Sequence, residues 1–125
     1  MNTKTRILVV DDEPDILGLL ESILRARGYE VTGAGNGAAA LALLRDGLNP
    51  CLVLVDLDMP LMSGPELEAE MTRDAALKDI PVVLTSASRE HLGRFQRSIG
   101  PLEKPFSLGR LIEIVREHCS PVTQR

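Results

Sequence analysis

The chain has no tryptophan, one tyrosine and two phenylalanines, so Tyr29, Phe95 and Phe106 are the only aromatic platforms on which bases could stack. It also lacks a long basic run, and its net charge is −4. Both features argue against direct binding to DNA or RNA, whose phosphates select a lysine- and arginine-rich face. Long apolar runs are missing too. The longest, residues 38–44, is far too short to cross a bilayer. The opening residues 1–6 lead into a strand rather than a secretory signal, so a cytoplasmic protein without membrane contact is the expectation. Histidine and cysteine are scarce. His91 and His118 stand far apart among helix-forming residues, with no carboxylate at metal spacing. Cys51 and Cys119 are isolated, one opening an apolar strand and the other ending the last helix, which is neither metal spacing nor a disulfide framework. Two reduced thiols are expected.

What the chain has is alternation. Its 125 residues fit one domain with a single sizeable core. Runs of β-branched residues and leucine alternate with amphipathic stretches, the pattern of a parallel sheet covered on both faces. Strands are predicted at 6–10, 30–34, 51–55, 81–85 and, weakly, 101–103. The first helix begins at Pro14, repeats apolar side chains at Ile16, Leu20, Ile23 and Leu24, and stops at Gly28. A second covers 37–45, and a third starts at Gly64-Pro65 with Leu67 and Met71 inward. A fourth is predicted near 89–98 and a fifth from Leu108, with Leu111, Ile112 and Val115 on one side. Right-handed crossovers make these units a doubly wound five-stranded α/β sheet flanked by five helices, with ligands bound beyond the carboxyl ends of the strands. Residues 1–119 form the expected domain, and 120–125 read as a fraying tail or a severed linker.

Acidic groups gather at that edge. Asp11 and Asp12 end the run Ile7-Leu8-Val9-Val10, and Asp56 ends the run Cys51-Leu52-Val53-Leu54-Val55. If those strands are adjacent and parallel, three carboxylates converge. Two charges about 4 Å apart repel by roughly 4 kcal/mol at an effective dielectric near 20, so the cluster calls for a cation. Oxygen donors suit a hard ion such as magnesium, with manganese as a substitute. Asp58 follows in a loop, Ser86 stands past the fourth strand and Lys104 past the fifth. A lysine offers a point charge for phosphate and a serine an adjustable donor. Together they describe a phosphoryl-transfer pocket in which Asp56 is the best nucleophile.

These residues resemble the receiver domain of two-component response regulators over nearly the whole chain. Residues 7–14, with the pair Asp11-Asp12, resemble the first strand and acidic pair of that family. The stretch from Val55 to Gly64, with Asp56, Asp58-Met59-Pro60 and the loop glycine Gly64, resembles its phosphoacceptor segment. Ser86 before Ala87 matches the switch hydroxyl, with Thr85 the alternative, and Lys104-Pro105 matches the lysine-proline pair. The resemblance implies a flavodoxin-like fold with strand order 2-1-3-4-5. It implies that Asp56 accepts a phosphoryl group from a phosphohistidine on a sensor histidine kinase or histidine phosphotransfer protein. Asp11, Asp12, Asp56 and the backbone carbonyl of Asp58 would hold Mg2+, and Lys104 and Ser86 would contact phosphoryl oxygens. The domain would catalyse its own phosphoryl transfer and dephosphorylation without being an enzyme on external substrates. The readout would be the face of the fourth helix, fifth strand and fifth helix, presented to an output domain or protein by a monomer or weak dimer.

Two departures stand out. Pro101 occupies the position, three before Lys104, where the family usually has an aromatic residue. Only 17 residues separate Ser86 from Lys104, so the fourth helix is expected to be clipped or irregular and the fifth strand short. Asp58 and Ser88 lie where the family tunes the lifetime of its phosphoryl group. An adaptor that docks a partner without phosphorylation is one competing reading. The other is an aspartyl-phosphate phosphatase of the haloacid-dehalogenase-like group, since Asp56-Leu57-Asp58 also resembles its D-x-D motif.

Overall fold

The computed structural model describes residues 5–57, 59, 61–86, 102–103 and 107–120. Four strands of five residues each, β1 (Arg6–Val10), β2 (Glu30–Ala34), β3 (Leu52–Asp56) and β4 (Val82–Ser86), are joined by a two-residue β5 (Leu102–Glu103). All pairings are parallel and the order is β2-β1-β3-β4-β5. The described residues hold four helices: α1 (Pro14–Ala26), α2 (Gly37–Arg45), α3 (Gly64–Arg73) and α4 (Leu108–His118). The last of these is the helix expected fifth from the sequence. The helix expected near 89–98 lies outside the described residues, as do Pro101 and the tail 121–125.

Period-two alternation divides the core in two. Leu8 and Val10 of β1, Val53 and Val55 of β3, and Val82 and Leu84 of β4 face α2 and α3, where Leu41, Leu44, Leu67 and Met71 close over them. Ile7, Val9, Leu52, Leu54 and Val83 face the other way, against Leu20 and Leu24 of α1 and Leu111, Ile112, Ile114 and Val115 of α4. Burial on both faces is why these strands read as unbroken apolar runs. Each fully buried Leu or Ile side chain contributes about 1.5–3 kcal/mol.

Local signals set the helix ends. Pro14 opens α1 with its fixed φ. Asn36 caps α2 by accepting from the Ala39 N–H at 2.8 Å, and Ser107 caps α4 by accepting from the Arg110 N–H at 3.0 Å. Ser63 and Glu66 form a reciprocal capping box on α3. Gly28 and Gly47 follow α1 and α2 with positive φ, the left-handed stop that glycine adopts without a Cβ clash.

One sequence expectation is overturned. Cys51 and Cys119 are joined by a disulfide, with their Cα atoms 5.6 Å apart, instead of being two free thiols. Sequence spacing could not reveal it, because the pair is separated by 68 residues. The topology can: each helix runs against its strands, so the end of α4 returns to the sheet edge where β3 begins.

Candidate functional site

The first side of the site is built by β1 and β3. Val10 pairs with Val55, so Asp11 and Asp56 occupy the next rung at the carboxyl edge. The Asp11 N–H donates to the Ala34 carbonyl at 3.1 Å, continuing the sheet one residue past β1. One Asp11 carboxylate oxygen accepts from the Glu13 N–H at 2.9 Å, which turns the chain into α1. Glu13, the N-cap, makes no side-chain cap bond of its own, so Asp11 does part of that work from two residues upstream. Asp11 is 2% exposed, Asp56 8%, and Asp12 is open to solvent.

The three carboxylates converge. Asp11, Asp12 and Asp56 each offer an oxygen, and these oxygens lie within 4.8 Å of one another. At that spacing each pair of negative charges repels by roughly 3 kcal/mol or more at an effective dielectric of 20. Two buried carboxylates and one exposed suit a hard divalent cation that enters from solvent and keeps some of its water. The donor set therefore fits magnesium.

The loop after β3 is held by main-chain contacts. The Leu57 N–H donates to the Thr85 carbonyl at 2.8 Å, and the Gly64 N–H returns to the Leu57 carbonyl at 3.1 Å. The Gly37 N–H, at the start of α2, donates to the Met62 carbonyl at 3.2 Å. A Cβ on Gly37 would collide with that same carbonyl, so glycine permits the loop to seat on α2. Met59 and Met62 pack against the core below. Leu61, by contrast, has φ 69° and is 82% exposed. Neither Gly37 nor Leu61 was singled out from the sequence. The place of Gly37 depends on a contact between segments that no local pattern encodes, and leucine does not announce a left-handed backbone.

The fourth strand ends on Ser86, the residue expected from the sequence as the switch position. Thr85 pairs with Asp56, and Ser86 is the last residue of β4, paired with Glu103. Asp58, Ala87, Ser88, Pro101 and Lys104 lie outside the described residues. The structure thus brings Asp11, Asp12 and Asp56 together and sets the main chain of Ser86 one residue past Asp56's partner.

The family model for the response regulator receiver domain matches residues 7–116. The chain belongs to that family. Response regulator SaeR of Staphylococcus aureus is 32% identical over 132 residues, an alignment covering 96% of this chain and 56% of SaeR. The chain thus spans about half the length of the curated relatives it matches. Among solved structures, the response regulator TrrA of Thermotoga maritima, in complex with Mg2+-BeF, matches with a TM-score of 0.82 and 36% identity, covering 90% of this chain and 97% of that one. A sensor protein from Polaromonas sp. JS666 matches with a TM-score of 0.83 and 30% identity, covering 92% and 95%. This receiver domain therefore has the flavodoxin-like parallel sheet expected from its sequence, and among its structural neighbours is one that holds magnesium. No helix among its described residues is long and apolar enough to cross a membrane.

Proposed function

We propose that the chain is a phosphorylation-dependent switch of a two-component system, acting in the cytoplasm, in which Asp56 is the phosphoacceptor. The convergence of the Asp11, Asp12 and Asp56 carboxylates at the carboxyl edge of the sheet is the observation that supports this reading most directly. A carboxylate oxygen of Asp56 would attack phosphorus in line. The bond from phosphorus to an imidazole nitrogen of the donor would break, its electron pair returning to the ring, and an acyl phosphate would form. The donor would be a sensor histidine kinase or a histidine phosphotransfer protein.

Asp11, Asp12, Asp56 and the carbonyl of Asp58 would hold Mg2+, or Mn2+ in its place, supplying positive charge against the phosphoryl oxygens. Lys104 would pair with one phosphoryl oxygen. Ser86 would move inward to hydrogen-bond another, with Ala87 beside it leaving room. Asp58 and Ser88 would set access of hydrolytic water and hence the lifetime of the acyl phosphate. Charge-assisted bonds of about 1.5–3 kcal/mol each, formed only in the phosphorylated state, would bias two packings of the fourth-helix, fifth-strand and last-helix face. Driving such an equilibrium from 1:99 to 99:1 takes about 5.5 kcal/mol, which two or three such bonds supply. With Pro101 in place of the usual aromatic residue, the relay from Ser86 to that face would use backbone movement rather than a ring rotamer.

Labelling with acetyl phosphate tests the reading. Stoichiometric label that is released by hydroxylamine or alkali, needs magnesium and disappears in Asp56→Ala supports it. No label under any condition would instead identify a phosphorylation-independent adaptor, and sustained turnover of a small phosphate ester would identify a phosphatase.

A further inference from the structure

The disulfide lies at the edge of the sheet opposite the acidic cluster. Cys51 immediately precedes β3, whose far end is Asp56, and Cys119 is the C-cap of α4. The main chain of each cysteine has its own anchor: the Cys51 N–H donates to the Arg6 carbonyl at 2.8 Å, and the Cys119 N–H to the Val115 carbonyl at 2.8 Å. The sulfur atoms are the covalent tie between those two anchored segments. Their surroundings differ. Cys119 is 5% exposed and packs in the core with α4, whereas Cys51 is partly open to solvent at its margin. Cys51 Sγ also lies 3.1 Å from the Arg6 carbonyl oxygen. A disulfide sulfur has no proton to give that oxygen, but a Cys51 thiol would find an acceptor in place.

We propose that Cys51 and Cys119 are a redox-responsive couple that fastens the last turn of α4 to the head of β3 when oxidised and releases it when reduced. Both states are provided for: the Cα separation lies in the ordinary disulfide range, and the reduced Cys51 thiol has its hydrogen-bond partner waiting. Exposure decides the entry point. A low-molecular-weight thiolate attacks Cys51 Sγ, the bond to Cys119 Sγ breaks, and Cys119 leaves as a thiolate that takes a proton. A second small thiolate attacks the sulfur of the first, the mixed disulfide breaks, and Cys51 is released as a thiol. Two electrons pass to the protein, and the small thiols end as one disulfide; oxidation by a small disulfide is the reverse. Disulfides inside cells are characteristically transient and redox-sensing, which is the role this asymmetry suits. The consequence for signalling rests on the proposed switch, because α4 is one wall of the proposed readout face. The couple itself does not rest on it.

The test uses the full chain equilibrated in buffers of varied reduced to oxidised glutathione ratio. Alkylation and intact mass count the thiols, and amide hydrogen exchange follows α4. The couple predicts a titration between zero and two alkylable thiols. It also predicts exchange in the last turn of α4 roughly tenfold faster in the reduced form, through local opening rather than through the global unfolding that governs β1 and β3. Cys51→Ser should show the fast exchange at every ratio, and reduced wild-type protein supplies the same comparison if that variant does not fold. Thiols that stay alkylable at all ratios, or a bond that forms without altering exchange in α4, would overturn the proposal. Acetyl phosphate labelling in both states keeps the two readings apart: loss of label in both removes the phosphoacceptor and leaves the couple standing.

Discussion

Gly64 lies so close to Asp56 that a Cβ on it would stand 2.6 Å from the Asp56 carbonyl oxygen and 3.1 Å from the Leu57 Cα. The first residue of α3 is therefore packed against the backbone that aims the candidate phosphoacceptor. These two neighbours are main chain, which cannot rotate aside, and the Leu84 Cδ2 closes a third side at 3.1 Å. Gly64→Ala should cost about 1–3 kcal/mol as an overpacked site and slow labelling of Asp56. Gly18, inside α1 with nothing within 4 Å of its Cβ position, is the control. Gly18→Ala should stabilise by about 0.5–1 kcal/mol with unchanged labelling, both read from denaturant midpoints.

Asp12 is the exposed member of the acidic cluster, so it can be neutralised with little disturbance to packing. Asp12→Asn removes repulsion in the metal-free protein and a ligand charge in the loaded one. Metal-free stability should rise by about 0.5–1 kcal/mol, less at high salt, while magnesium affinity falls at least about tenfold. Thermal melts with and without MgCl2 check both, since a ligand that binds only the folded state raises the melting temperature. An unchanged magnesium shift would count against the assignment of Asp12.

Burial pushes the Tyr29 hydroxyl above its ordinary value near 10, and the positive charges of Arg116 and Arg27 pull it partly back. The protonated phenol is thus favoured by folding. Its contribution is complete below the unfolded value and is lost as pH climbs through the raised folded value. Tyr29→Phe should flatten the decline in stability above about pH 10 while leaving the profile near neutrality unchanged. Denaturant melts from pH 8 to 11 would show it.

The Cys51–Cys119 bond closes a separation of 68 residues. In the chain-entropy limit such a link stabilises the fold by about 4 kcal/mol, through the unfolded state. Reduction, or Cys51→Ser with Cys119→Ser, should lower stability by up to that amount. The slope of unfolding against denaturant should rise at the same time, because the unlinked chain opens further.

The strands and helices of the described residues were legible because each has a local cause. Burial on both faces makes β1, β3 and β4 continuous apolar runs, and Pro14, Gly28, Gly47 and the pair Gly64-Pro65 punctuate the helices. The boundaries of β3 and β4 moved by one residue, so Asp56 and Ser86 end their strands rather than follow them. The acidic triad was legible because strand order fixes which carboxyl ends are neighbours. The disulfide, the Gly37 seat for Met62 and the left-handed Leu61 were not. The first two depend on where two distant segments meet, and leucine carries no local signal for a positive φ.

The central position of β1, flanked by β2 and β3, has a consequence for synthesis. When a nascent chain has left the ribosome only as far as residue 50, β1 can pair with β2 but its other edge is bare, and Asp11 and Asp12 have no third carboxylate beside them. Docking of β3 covers that edge and delivers Asp56 in the same motion. Covering of that edge and concentration of negative charge thus go together, and a divalent cation held by the three carboxylates would favour the docked strand.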